Sequence, residues 1–125
     1  MRDILIRAGR VVIRARVRDT PTAHRILAAL PIYATAMTWG EEVYFRVPVS
    51  ADREPEAREV VEAGEIAFWP DGNAIAIGFG PTPISRPGEI RLASPCNVWA
   101  EALDDVRALA AVREGERVAV MEADS

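Results

Sequence analysis

The sequence predicts a mainly β fold, a closed or nearly closed antiparallel barrel of seven or eight short strands with one or two short helices. Three observations predict it. Apolar residues recur at every second position in several short runs, Gly, Pro, Asn and Asp punctuate those runs, and helical spacing appears only briefly.

The first element is DILIRA, joined through Ala8-Gly9-Arg10 to VVIRARVR at 11–18. Val11, Ile13, Ala15 and Val17 alternate there with Val12, Arg14, Arg16 and Arg18, so one face is apolar and the other carries guanidinium groups. Such a row of Arg is ordinarily a solvated face, and only an acidic partner would give it a function. The period changes at Asp19-Thr20-Pro21-Thr22, where a capping side chain followed by Pro starts a helix. Ala23, Ile26, Leu27 and Leu30 then fall at helical spacing until Pro31 stops the run, and His24 lies off that stripe.

IYATAMTW from Ile32 and EVYFRVPV after a turn at Gly40-Glu41 resume the two-residue period. SADREPEAREVVEAG, charged and broken by Pro55, reads as an excursion rather than core. Further strands are expected at 65–69, 74–79, 89–92, 96–101 and 117–122, with one or two helical turns at 104–112 capped by Asp104. Pro70-Asp71-Gly72-Asn73 supplies turn chemistry between two of them. In AIAIGF, Ile75, Ile77 and Phe79 alternate with Ala74, Ala76 and Gly78, leaving one face bulky and the other bare, so that another backbone, a helix or a ligand can approach closely. Gly80-Pro81-Thr82-Pro83 cannot continue a central strand and forms a rigid corner. With no repeat, linker or low-complexity segment, residues 1–125 are read as a single domain.

Composition narrows the chemistry. All fifteen basic residues are Arg, so mechanisms built on lysine are excluded. The single Cys96 excludes an internal disulfide, and Cys96 with His24 alone leaves no multi-Cys or multi-His metal site. No metal and no cofactor are expected. The net charge of −4 gives no bulk attraction to nucleic acid, and no apolar run approaches the roughly 18 residues of a membrane span. The N-terminus breaks its apolar residues with charge and does not read as a signal peptide, so cytoplasmic residence is the expectation.

WGEEVYFRVPV at 39–49, VEAGEIAFWPDGNAIAIGFGPTP at 61–83 and EIRLASPCNVWAEA at 89–102 resemble a family of small prokaryotic cyclophilin-like proteins of uncharacterised function. The similarity runs over about residues 2–122 and implies a closed cyclophilin-like β-barrel of about eight strands with short capping helices. True cyclophilins are peptidyl-prolyl isomerases, and the resemblance makes Arg46 in Phe45-Arg46-Val47-Pro48 the nearest match to their catalytic arginine. Such an arginine would stabilise the twisted prolyl amide. The chain has no Gln at all, and Phe79 alone resembles the hydrophobic proline seat.

Other chemistry is thin. Ser50, Ser85 and Ser94 lack a base, and GFGP at 78–81 is no dinucleotide fingerprint. Glu41-Glu42 and Asp104-Asp105 are adjacent pairs whose members point to opposite faces if on strands. Cys96 reads as a small buried thiol. What remains is aromatic: Trp39, Tyr44, Trp69, Phe79 and Trp99, which either fill the barrel ends or line a groove. A binding site is therefore expected where Tyr44, Trp69, Arg46 and the Pro81, Thr82, Pro83 corner converge, with Phe79 and Trp99 as further candidates. Three readings stand: binding of a small molecule or extended peptide without catalysis, weak prolyl isomerisation by Arg46, and a module that pairs through an exposed edge strand, including into a homo-oligomer.

Overall fold

The computed structural model describes residues 2–123; Met1, Asp124 and Ser125, the ends of the expected 1–125 domain, lie outside the described residues. Strands β1 (Asp3–Ala8) and β2 (Val11–Val17) form a hairpin turned by Gly9 at φ 58°, followed by helix α1 (Pro21–Ala29). Next come β3 (Ile32–Thr35), β4 (Met37–Thr38), β5 (Glu42–Arg46), β6 (Arg58–Val61), β7 (Glu65–Trp69) and β8 (Ala74–Gly78). The long β9 (Ile90–Ala102) and β10 (Arg117–Glu122) complete the strands. Pairing runs β3-β10-β1-β2-β9-β7-β8-β5-β4, with β6 on β9 off that path. The two ends of the path, β3 and β4, are separated in sequence only by Ala36, so the sheet curls into a nearly closed barrel.

Alternation decides what fills it. Ile4, Ile6, Ile13, Ala15 and Val17 from the first hairpin meet Val43, Phe45, Ile66, Phe68, Ile75 and Ile77 in one buried core. The arginines opposite that face are largely paired: Arg14 and Arg16 both reach Asp3, at 3.3 and 3.2 Å, and Arg18 reaches Glu101 at 2.5 Å. Exposed pairs of this kind stabilise by about 1 kcal/mol or less. Helix α1 begins as its sequence dictates, with Thr20 Oγ1 accepting from Ala23 N at 3.1 Å and Pro21 in the first turn. His24 is exposed and bonds Asp19 at 2.6 Å.

A second, smaller core lies outside the barrel wall. Ala67, Leu92, Cys96, Val98 and Val61 are buried together, with Trp69 and Ile90 packed against them. It exists because β9 serves two layers. Its C-terminal part pairs with β2 and β7, while its N-terminal part turns away to pair with β6, Val61 opposite Ile90. That flap covers the bare face of β8. A Cβ on Gly78 would stand 2.4 Å from Ile90 Cγ2, so only glycine lets the flap close there.

Four expectations need correction. The strands expected at 89–92 and 96–101 are one strand, because Pro95 sits where β9 changes layers and does not break it. The excursion at 50–64 contains β6, whose Val61 belongs to the outer core, and its Ala51 packs against the main one. The turns at 104–112 form a 3-10 helix at Val106–Ala111 capped by Asp105, which accepts from Arg107 N at 2.9 Å. Asp104 instead accepts from Arg14 N at 2.8 Å, tying the loop to β2.

Candidate functional site

A cavity of about 190 Å³ opens on the outer face of the barrel, between β5, β7 and β8 on one side and the β9 flap on the other. Its floor is Ala76, part of the bare face of β8. Register puts Tyr44 directly across from Ala76 and Trp69 directly across from Ala74, so two large rings rise beside small residues. Their centroids are 6.5 Å apart and their planes stand at 88°. Trp39 adds a third aromatic wall, and Leu92, Ala93 and Cys96 come from β9.

Trp69 packs against the turn that follows it and bonds to β9. A Cβ on Gly72 would lie 2.3 Å from the indole, so the ring rests on the Pro70–Gly72 3-10 turn only because that residue is glycine. The indole Nε1 donates to Ser94 Oγ at 2.7 Å, and Ser94 donates to Asp71 at 3.3 Å. Asn73 ends the turn in the left-handed region, φ 48°, which Asn tolerates.

The polar group in the cavity is Glu42. The residue is only 6 % exposed, and its Oε1 is buried with no hydrogen-bond partner among the described residues. Burial pushes the carboxyl up to about 7, so near neutrality it exchanges its proton. The thiol of Cys96 is pushed up to about 12 by burial first, then by the neighbouring Glu42 and Asp71 carboxylates, and stays protonated. Glu42 is placed by its surroundings: Trp39 N donates to Glu42 O at 3.0 Å, Glu41 N donates to Pro81 O at 2.9 Å, and Phe79 N donates to Glu41 O at 2.9 Å. The Pro81–Pro83 corner rests on Gly40, whose Cβ would meet Thr82 Cα at 2.9 Å. Glu41 turns away from the cavity towards Gly80, as expected for neighbours on opposite faces.

Of the residues expected to form a site, Tyr44 and Trp69 are brought together and line the cavity. Arg46 shares the outer face of β5 with Tyr44 but is exposed beyond the cavity lining, and it makes no hydrogen bond or ion pair among the described residues. Phe79 packs against the main core. Pro81 is exposed, and Thr82 is buried in the corner, where its hydroxyl donates to the Arg91 carbonyl and its N–H donates to Ser85 Oγ at 2.9 Å. Trp99 is wholly buried in the barrel core, its Nε1 without a partner among the described residues. Trp39, named in sequence only among the aromatics that could line a groove, is a wall of the cavity; Glu42, set aside there as half of an adjacent pair, and the flap residues Leu92 and Ala93 were not expected in it. Among the described residues no cluster of His, Cys, Asp or Glu could hold a metal, and no helix is long and apolar enough to cross a membrane.

A nearly closed β-barrel with short helices and a small cavity on its outer wall defines the class of the protein. The cyclophilin-like family profile matches residues 2–121, and the chain belongs to that family. Among solved structures it is similar to the hypothetical protein AF2241 from Archaeoglobus fulgidus, with 37% identity and a TM-score of 0.84, covering 98% of this chain and 95% of that one. It also superposes on McbB in complex with tryptophan at a TM-score of 0.71, covering 98% of this chain and 45% of that one; at 15% identity the likeness is one of fold alone. No curated protein matches the chain.

Proposed function

We propose that the protein binds a small, largely apolar molecule in the outer cavity, as a single cytoplasmic domain acting without a metal or cofactor. One observation carries the reading: three aromatic walls over a bare alanine floor enclose a buried carboxyl whose Oε1 has no partner. Buried polar atoms are nearly always hydrogen-bonded, and leaving one unmade costs about 1–3 kcal/mol. A ligand donating to Glu42 recovers that cost. The volume limits the ligand to one ring or a compact bicycle, since an apolar cavity of about 150 Å³ accommodates benzene.

The test is a plug in the floor. Ala76→Leu places a branched side chain between Tyr44 and the flap without altering the barrel interior, where Ile75 and Ile77 point. Fluorescence of Trp39 and Trp69 reports occupancy. Titration of wild type with single-ring compounds is expected to give saturable changes, and the plug is expected to weaken binding by about two orders of magnitude. Equal binding by wild type and Ala76→Leu removes the cavity as the site.

A second reading, prolyl isomerisation, is favoured by Arg46, which is exposed and unpaired among the described residues on the same face of β5 as Tyr44 and Glu42. A peptide lying along β5 would reach it. Acceleration in a protease-coupled isomerisation assay that disappears in Arg46→Ala would establish this reading, and no acceleration by wild type ends it.

A further inference from the structure

The cavity reading leaves the chemical class of the ligand open, and the arrangement around Glu42 narrows it. Tyr44 and Trp69 stand edge to face at 88°, with Trp39 as a third wall. An aromatic face carries the negative side of the ring quadrupole, and a cation within about 6 Å of such a face is attracted to it. A neutral apolar ligand gains nothing from that field. The same cavity is lined by a carboxyl with an unused acceptor, on a residue 6 % exposed. Aromatic faces and an acceptor therefore favour the same partner, a positively charged N–H donor.

We infer that the cavity selects an organic amine with a compact ring, its ammonium group seated among Trp39, Tyr44 and Trp69 and donating to Glu42 Oε1. This rests on the cavity reading and adds the charge and donor of the ligand to it. Glu42 has already been desolvated by folding, so the ammonium gains the pair without the carboxylate losing further hydration. A permanently neutral hydroxyl in the same position would offer one hydrogen bond and no charge.

Binding of such an amine depends on pH. The carboxyl ionises at about 7, so below that pH an incoming ammonium must displace a proton, and apparent affinity falls about tenfold per pH unit. Above it, affinity levels off until the amine itself deprotonates. The other titratable groups facing Glu42 do not disturb that window. Cys96 across the cavity on β9 remains protonated, and Glu41 on the same strand end faces Gly80. Tyr44, on the same face of β5 and lining the cavity, is a phenol. From the rim, Asp71 and Arg53 act on Cys96 with opposite signs.

Benzylamine and benzyl alcohol, equal in size and differing in charge, provide the test by titration calorimetry with wild type, Glu42→Gln and Ala76→Leu at about pH 6 and about pH 8. The expected result is at least about tenfold tighter binding of the amine in wild type at the higher pH, a preference that shrinks at the lower pH and is lost in Glu42→Gln. Equal binding of both compounds in wild type overturns the amine inference and leaves the cavity reading standing. A preference that persists undiminished in Glu42→Gln also overturns it. Binding of neither compound overturns both.

Discussion

Replacing Glu42 with Gln is expected to make the protein more resistant to urea at about pH 8, by up to about 3 kcal/mol relative to its effect at about pH 4. The carboxyl ionises at about 7 in the folded chain against an ordinary 4.5, with burial as the cause. Between those values the folded state holds a proton that the unfolded state has released. Stability therefore falls as pH rises from 4.5 towards 7, and the deficit stays constant above. At about 1.4 kcal/mol per pH unit, the gap amounts to about 3 kcal/mol. Below 4.5 both states are protonated and the group contributes no pH dependence. A glutamine is uncharged throughout, so the slope attributable to residue 42 disappears in the variant. An unchanged pH profile of stability in Glu42→Gln would show that the carboxyl is solvated, and the cavity would lose its polar anchor. Proteins commonly retain such destabilising groups where ligands need them, and Glu42 fits that pattern.

Gly72→Ala carries the second large effect. Its Cβ would fall 2.3 Å from two carbons of the Trp69 ring, a distance that no rotation of a methyl relieves. The backbone of the Pro70–Gly72 turn is tied at Asn73, where Val47 N donates to the Asn73 carbonyl at 2.9 Å, so the indole rather than the turn must move. Moving it breaks the bond to Ser94 and opens the wall facing Tyr44. The expected outcome is a loss of about 1–3 kcal/mol in stability. It should come with a changed near-ultraviolet dichroism from Trp69 and ligand binding weakened about tenfold or more. A variant with wild-type stability, dichroism and binding would mean that the ring is not seated on Gly72.

Much of this fold is legible in the residues because alternation is a local property. Ile75 and Ile77 point inward and Ala74, Ala76 and Gly78 outward, as their period requires, and the Arg-bearing face of β2 is the outer one. The site is less legible because it is built between layers. Glu41-Glu42 reads in sequence as an adjacent pair, Glu41 in the turn and Glu42 opening the next strand, with nothing to show that either is covered. Only the pairing of β5 with β8 sets Glu42 opposite Gly78 and beside the covered alanine face. The cover itself was hidden in a segment rich in charge, where Arg58, Glu59 and Glu62 surround the Val61 that the outer core uses. A signal was available: Glu42 shares a strand face with Tyr44, across from the bare face already recognised on 74–78. Trp99 shows the converse. Its aromatic character made it a candidate wall, whereas its place on β9 turns it into the barrel interior.

The most direct test follows the Glu42 carboxyl carbon by nuclear magnetic resonance at about pH 6, one unit below its ionisation, before and after saturation with benzylamine. The free protein is predicted to give the shift of a protonated carboxyl and the saturated protein that of a carboxylate. A carboxyl already ionised in the free protein, or one that keeps its proton while benzylamine saturates the cavity, would contradict the account.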